Sequence, residues 1–305
     1  MEKIRVAVVG VGYLGSIHAK IYKELNICEL AGVCDTQQER LNEISQSLHV
    51  PGFSDYHQLF DKVDAVSIAT PTSSHYKIAS DFLRNNTPVL VEKPFTVNLK
   101  EADDLIKIAN KNNLILQVGH IERFNSAFSA ARKLIENPKF IECHRLSPFP
   151  RRSTDVGVVL DLMIHDIDIV LGLVDSPIKQ VEAVGVPVLT AFEDIANARV
   201  TFKNGCVSNL TASRVSDEEM RKIRIFQKDA YISLDYKNAE ASIYKKSGLS
   251  IAKENLPIEK EQPLQKELES FLECVRQNLE PLVSGPVARE ALALALKIQN
   301  QIWHK

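Results

Sequence analysis

Ile4-Arg5-Val6-Ala7-Val8-Val9-Gly10-Val11-Gly12-Tyr13-Leu14-Gly15, followed twenty residues after Gly15 by Asp35, is the stretch that decides the fold. Its apolar run reads as a buried strand, its Gly-x-Gly-x-x-Gly as a tight turn, and the segment from Tyr13 as a helix. Glycines alone also serve ordinary turns. Strand before, helix after and acid at this distance together describe a cradle for a dinucleotide pyrophosphate. Gly10 permits the turn, Gly12 lets backbone approach phosphate, Gly15 lets helix and strand pack, and the helix N-terminus offers N–H groups. Tyr13 and Leu14, the variable positions of the motif, are counted with the cofactor site. Asp35 is placed to accept from the adenosine ribose hydroxyls and to repel a 2′-phosphate, so NAD is expected over NADP; Arg40 pulls weakly the other way.

Outward from the motif, apolar runs at Ile4–Val9, Glu29–Cys34, Asp64–Ala69, Pro88–Val91 and Leu114–Val118 alternate with helix patterns at Tyr13–Leu25, Gln37–Ser47, Ser73–Arg84 and Leu99–Asn110. Five strands crossed by helices describe an α/β fold with an N-terminal Rossmann doubly wound parallel sheet. Beyond residue 120 the rhythm changes. Ala196, Ala198, Val200 and Phe202 alternate with polar residues, Asn204-Gly205 supplies a hairpin turn, and Cys206–Arg214, Arg221–Phe226, Tyr231–Tyr236 and Ser242–Tyr244 follow as strands. A second α/β domain with a large open, mostly antiparallel sheet is expected, closed by helices at Pro263–Asn278 and Pro286–Ile302. The expected division is 1–120 for cofactor binding and 121–305 for substrate binding and oligomerisation.

The 305 residues carry 37 basic and 39 acidic side chains, a formal charge of −2, which offers no footprint for nucleic acid or an anionic membrane. Apolar residues at 45% and charged residues at 25% fit a globular protein with real cores. The N-terminus runs into a strand without a signal-peptide pattern, and no apolar stretch reaches membrane-spanning length, so a soluble, cytoplasmic protein is expected. Cys28, Cys34, Cys143, Cys206 and Cys274 are scattered, without metal-ligand spacing, as suits reduced thiols.

Ligands of open α/β sheets gather at the carboxyl ends of the strands. Thr70 and Pro71 leave one strand end to line the cofactor groove, Ser73 or Ser74 is expected to cap the next helix, and His75 either touches cofactor or faces solvent. Another strand empties into Glu92-Lys93-Pro94, where the proline ends the ladder and leaves Lys93 at the ligand-facing rim. In the second half, Val156–Val174 is apolar almost all round yet holds Asp161, His165, Asp166 and Asp168. At about 100° per residue, Asp161, His165 and Asp168 share an arc of about 60°. Such a seam is a self-satisfied ion pair, a metal site lacking a third ligand element, or the wall of a cleft where a hydroxylated substrate meets nicotinamide. Oxidising a carbinol requires a base at its hydroxyl. His165 suits that task near neutral pH, and Lys93 serves either as polariser or as the base itself. Asp161 orients one of them.

With the Gly-rich motif and the following His18, Glu92-Lys93-Pro94, and Asp161-x-x-x-His165, the chain resembles the Gfo/Idh/MocA oxidoreductases over its whole length. The resemblance implies NAD(P)-dependent oxidation of a sugar or cyclitol hydroxyl, with Lys93, Asp161 and His165 as the catalytic set. A narrower resemblance rests on Val118-Gly119-His120-Ile121-Glu122-Arg123-Phe124-Asn125 and on the 158–170 segment. It points to the branch that oxidises C3 of UDP-N-acetylglucosamine to a 3-keto sugar nucleotide; Ser126 departs from that branch's usual proline. It implies substrate contacts from His120, Arg123, Asn125 and Asp168, with Arg123, Arg151 and Arg152 as diphosphate candidates. A dehydrogenase of free sugar or inositol and a non-catalytic NAD sensor are the alternatives. A homo-oligomer, dimer or tetramer, is expected from the open sheet.

Overall fold

A computed structural model describes residues 2–149, 156–259 and 261–304; Arg151 and Arg152 lie outside the described residues. In chain order the elements are β1 (Ile4–Val9), α1 (Tyr13–Glu24), β2 (Cys28–Cys34), α2 (Gln38–Leu48), β3 (Gly52–Phe53), β4 (Ala65–Ile68), α3 (Thr72–Arg84), β5 (Val89–Glu92), α4 (Leu99–Asn112) and β6 (Leu116–Gly119). Then come α5 (Ser126–Arg132), β7 (Phe140–Leu146), a π-helical turn (Val159–Met163) running into α6 (Ile164–Leu173), and β8 (Ile178–Val186). The chain continues through β9 (Ile195–Phe202), β10 (Val207–Ser213), β11 (Met220–Gln227), β12 (Ala230–Asp235), β13 (Glu240–Ser247), β14 (Ser250–Asn255), α7 (Pro263–Gln277) and α8 (Gly285–Trp303). Among the described residues no helix is long and apolar enough to cross a membrane.

Two compact units divide the chain: Met1–His120 with Leu264–Arg289, and Ile121–Pro263 with Glu290–Lys305. The first is a six-stranded parallel sheet in the order β3-β2-β1-β4-β5-β6. Continuous apolar runs such as Val6-Ala7-Val8 form its strands because helices bury both faces. The sheet has six strands rather than five; β3, two residues long, carries no periodic signal. Leu264–Arg289 groups with this unit, whereas the sequence assigns everything past 120 to the second. The apolar stripe Leu268, Phe271 and Leu272 of α7 shares the core of Tyr22, Leu30 and Ile44, and Gln117 donates to the Glu267 carbonyl at 3.2 Å.

The second unit is an eight-stranded open sheet in the order β14-β13-β12-β11-β7-β10-β9-β8, antiparallel except for the β7–β10 pair. Asn204-Gly205 turns the β9–β10 hairpin, with Gly205 at φ +84°. On β7, Ile141 and Cys143 face the core while Phe140, Glu142 and His144 face outward, the period-2 alternation of a half-covered sheet. The core side packs against α5, the π turn, α6 and the Ala291, Leu294, Ala295 and Ile298 face of α8. The outward side carries a row of rings, Phe140–Phe226–Tyr231–Tyr244, with successive centroids 5.7, 5.1 and 4.3 Å apart.

Candidate functional site

β1 delivers Gly10 in the left-handed region, φ +85°, with its N–H on the Cys34 carbonyl at 2.8 Å. A Cβ on Gly15 would stand 1.8 Å from the Gly10 carbonyl oxygen, so the turn and the first helical turn interlock only with glycine there. α1 begins after Gly12 without a side-chain cap, leaving its first N–H groups to meet an anion. A cavity of about 660 Å³ opens beside this turn, lined by Gly10, Gly12, Asp35, Thr70 and Pro71. Asp35 is held at both oxygens: Oδ2 accepts from Val11 N–H at 2.9 Å and Oδ1 from Gln37 N–H at 2.8 Å. Bare glycine turn, uncapped helix, positioned carboxylate and a cavity of this size fit a dinucleotide's adenosine and pyrophosphate.

Arg40, Ser54, Asp55, Tyr56 and Lys77 line the same cavity, and except for Arg40 the sequence gives no warning of them. They arrive because β3 ends at Phe53 beside β2, a strand end too short to show in periodicity. Tyr13, Leu14, Gly15, His75, Glu92 and Lys93 lie away from this cavity's lining; Tyr13 is 68% exposed.

At the β4 end the expected cap is absent. α3 starts at Thr72 after Pro71, and Ser74 Oγ donates back to the Pro71 carbonyl at 2.7 Å and to Thr70 Oγ1 at 2.8 Å. His75 is buried rather than solvated. Its Nδ1 stands 3.0 Å from the Pro94 carbonyl and its Nε2 2.8 Å from that of Thr70, tying the β4 loop to the β5 loop. Burial pushes its imidazole down, so the neutral ring donates to one carbonyl at a time. Its place is to brace the rim. Lys93 follows β5, half-buried, with Pro94 cis to it.

The polar helix of the second unit is not uniform. Asp161 lies in the π turn, where the helix is wider than the α-helix assumed in the seam, while His165 lies in the first turn of α6. Its four ionisable residues divide. Asp168 is buried and grips Arg123: Nε to Oδ2 2.6 Å, Nη2 to Oδ1 3.1 Å. Asp166 is buried and grips Arg145 at 3.1 and 3.0 Å, and Arg145 also donates to Glu122 at 2.9 Å. Asp161 and His165 are the half-buried pair.

Three expected substrate contacts are thereby corrected. Arg123 and Asp168 neutralise one another inside the unit, so the guanidinium fork is spent on a carboxylate. Asn125 caps α5, its Oδ1 accepting from Ala127 N–H at 3.0 Å. His120 is buried at the end of β6. Among the described residues no group of three or more His, Cys, Asp or Glu is placed to hold a metal ion.

A dinucleotide cradle on a parallel sheet, carried in one chain with an open-sheet α/β unit, defines a nicotinamide-dependent oxidoreductase of the Rossmann type. The chain belongs to the GFO/IDH/MocA family: residues 4–120 match its oxidoreductase family, NAD-binding Rossmann fold, and residues 117–233 match the GFO/IDH/MocA C-terminal domain. It is 38% identical to UDP-N-acetylglucosamine 3-dehydrogenase of Acidithiobacillus ferrooxidans, over 98% of this chain and 97% of that protein. A solved structure of UDP-N-acetylglucosamine 3-dehydrogenase from that organism superposes with a TM-score of 0.94 at 39% identity, covering 99% of this chain and 98% of that one. Myo-inositol 2-dehydrogenase of Thermotoga maritima is 26% identical over 99% of this chain and 97% of its own length.

Proposed function

We propose that the protein is an NAD-dependent dehydrogenase of a sugar nucleotide, oxidising the C3 hydroxyl of UDP-N-acetylglucosamine to the 3-keto sugar. The observation that carries this reading is the 38% identity to UDP-N-acetylglucosamine 3-dehydrogenase over nearly the whole of both chains. When bound, NAD supplies the hydride acceptor. The first turn of α1 binds its pyrophosphate, and Asp35, held as a carboxylate acceptor by two backbone N–H groups, favours a ribose with a free 2′-hydroxyl. Lys93 polarises the reacting hydroxyl oxygen, and His165 takes its proton as the hydride leaves. Asp161, in the π turn just before α6, orients the base. Arg145 and Arg123 neutralise Asp166 and Asp168, so Asp161 and His165 act without competing carboxylates.

A free cyclitol or sugar is the second reading, favoured by the likeness to myo-inositol 2-dehydrogenase and by the engagement of Arg123 with Asp168 rather than with a diphosphate. Purified protein incubated with NAD and UDP-N-acetylglucosamine should raise absorbance at the reduced-cofactor band. Turnover of free inositols or sugars instead would carry the second reading. Silence across UDP-sugars and cyclitols, with cofactor bound, would remove both and leave a nucleotide sensor. We also propose a homo-oligomer, built on the outward face of the eight-stranded sheet; its ring row supports that assignment.

A further inference from the structure

His18, Glu92 and Gly119 come from three elements and meet in the interior of the first unit. His18 is fully buried on α1, one turn beyond Gly15 of the cradle. Its Nδ1 stands 2.8 Å from the Oγ of Ser67, a fully buried serine on β4. Its Nε2 stands 3.1 Å from Oε1 of Glu92, whose side chain is 8% exposed at the end of β5. On the other side, a Cβ on Gly119 would come within 2.9 Å of Cδ and of both carboxylate oxygens, so the Glu92 carboxylate lies flat on the bare backbone of β6. The second oxygen, Oε2, accepts the N–H of Lys93 itself at 3.2 Å.

A buried carboxylate is retained only where it has partners, and here the partners define one rotamer. The imidazole closes one end, glycine leaves the only room for the plane, and the far oxygen is turned back onto the peptide that enters Lys93. We infer that His18 is a positioning residue for Lys93, acting through the Glu92 carboxylate, so that the helix opening at the phosphate cradle sets the placement of the lysine. The functional weight of this rests on the proposed role of Lys93; the structural coupling does not. Its chemistry is specific to one ring nitrogen. Glutamine places an amide nitrogen near the position of Nε2 and restores the contact with Glu92, whereas asparagine reaches only as far as Nδ1 and keeps the contact with Ser67.

The test is amide hydrogen exchange of the 90–96 segment in the full chain, comparing wild type with His18→Gln, His18→Asn and Gly119→Ala, each checked for folding by its thermal transition. Release of Glu92 frees the Lys93 N–H, so exchange in this segment should quicken about tenfold or more in His18→Asn and in Gly119→Ala and stay near wild type in His18→Gln. Where substrate turnover is measured, kcat should fall with exchange in the first two and recover in the third, while NAD affinity holds. Gly119→Ala leaves every His18 contact in place and displaces the carboxylate from the opposite side, so it decides the matter if a His18 variant does not fold. Unchanged exchange in both His18→Asn and Gly119→Ala overturns the inference, as does equal acceleration in His18→Asn and His18→Gln. An inactive wild type with the expected exchange pattern counts against the substrate, not against the coupling.

Discussion

Asp161, His165, Asp166 and Asp168 sit within eight residues of sequence, and what separates them is the arginine each does or does not meet. The sequence shows ionisable side chains on a greasy helix. It does not show Arg123 and Arg145, which arrive from 45 and 21 residues away, so half of the seam is structural and half is left for chemistry. Arg123 illustrates the hazard for variants: its removal leaves Asp168 buried and unpaired, and loss of activity would not report a diphosphate contact. A second pair missed from sequence is Arg214 with Asp194, both side chains fully buried at 2.7 Å. Burial pushes the Asp194 carboxyl up, but N–H groups of Leu189, Thr190 and Val188 and the Arg214 guanidinium outweigh it and hold the group well below the usual carboxylate range. A lowered folded-state pKa stabilises above the unfolded value, about 3.9, and that contribution is lost as pH falls below it. Asp194→Asn should therefore cost about 3–5 kcal/mol at neutral pH, because Arg214 stays buried without its counter-ion. In denaturant titrations the deficit relative to wild type should narrow as pH falls below about 4; a pH-independent deficit would contradict the assignment.

Strands and helices with strong patterns were legible, and the elements that escaped had physical reasons to. β1 and the start of α1 coincide with the apolar run and the glycine motif because both are dictated locally. β3 is only two residues long, yet it brings Ser54, Asp55 and Tyr56 to the cofactor cavity. β14 is exposed along its length, so it shows no alternation to read. The π turn at Val159–Met163 follows from no composition rule and alters where Asp161 points relative to His165. α7 shows an amphipathic stripe in sequence, but not which core receives it. Its membership of the first unit predicts that Phe271→Ala, a cavity costing about 3–5 kcal/mol, strips hydrogen-exchange protection from β1 and α1. Protection lost instead from β9 and β10 would contradict that membership.

At the scale of the whole molecule, the fold class and the cradle were readable because a dinucleotide imposes one local geometry, whereas substrate choice depends on tertiary pairings that spacing does not encode. The outward face of the eight-stranded sheet is the surface with most to gain from a second copy: Phe140, Phe226, Tyr231 and Tyr244 stack across four strands. Light scattering should give a mass above the 34.1 kDa monomer, and Tyr231→Lys should lower it; a wild-type monomer at all concentrations would contradict the assembly. The central claim concerns one hydrogen atom. UDP-N-acetylglucosamine deuterated at C3, incubated with NAD, should yield reduced cofactor heavier by one deuterium, with turnover lowered about 10²-fold or more in Lys93→Met and His165→Asn. Reduced cofactor without the label, or no reduction at all from protein that binds NAD, would contradict it.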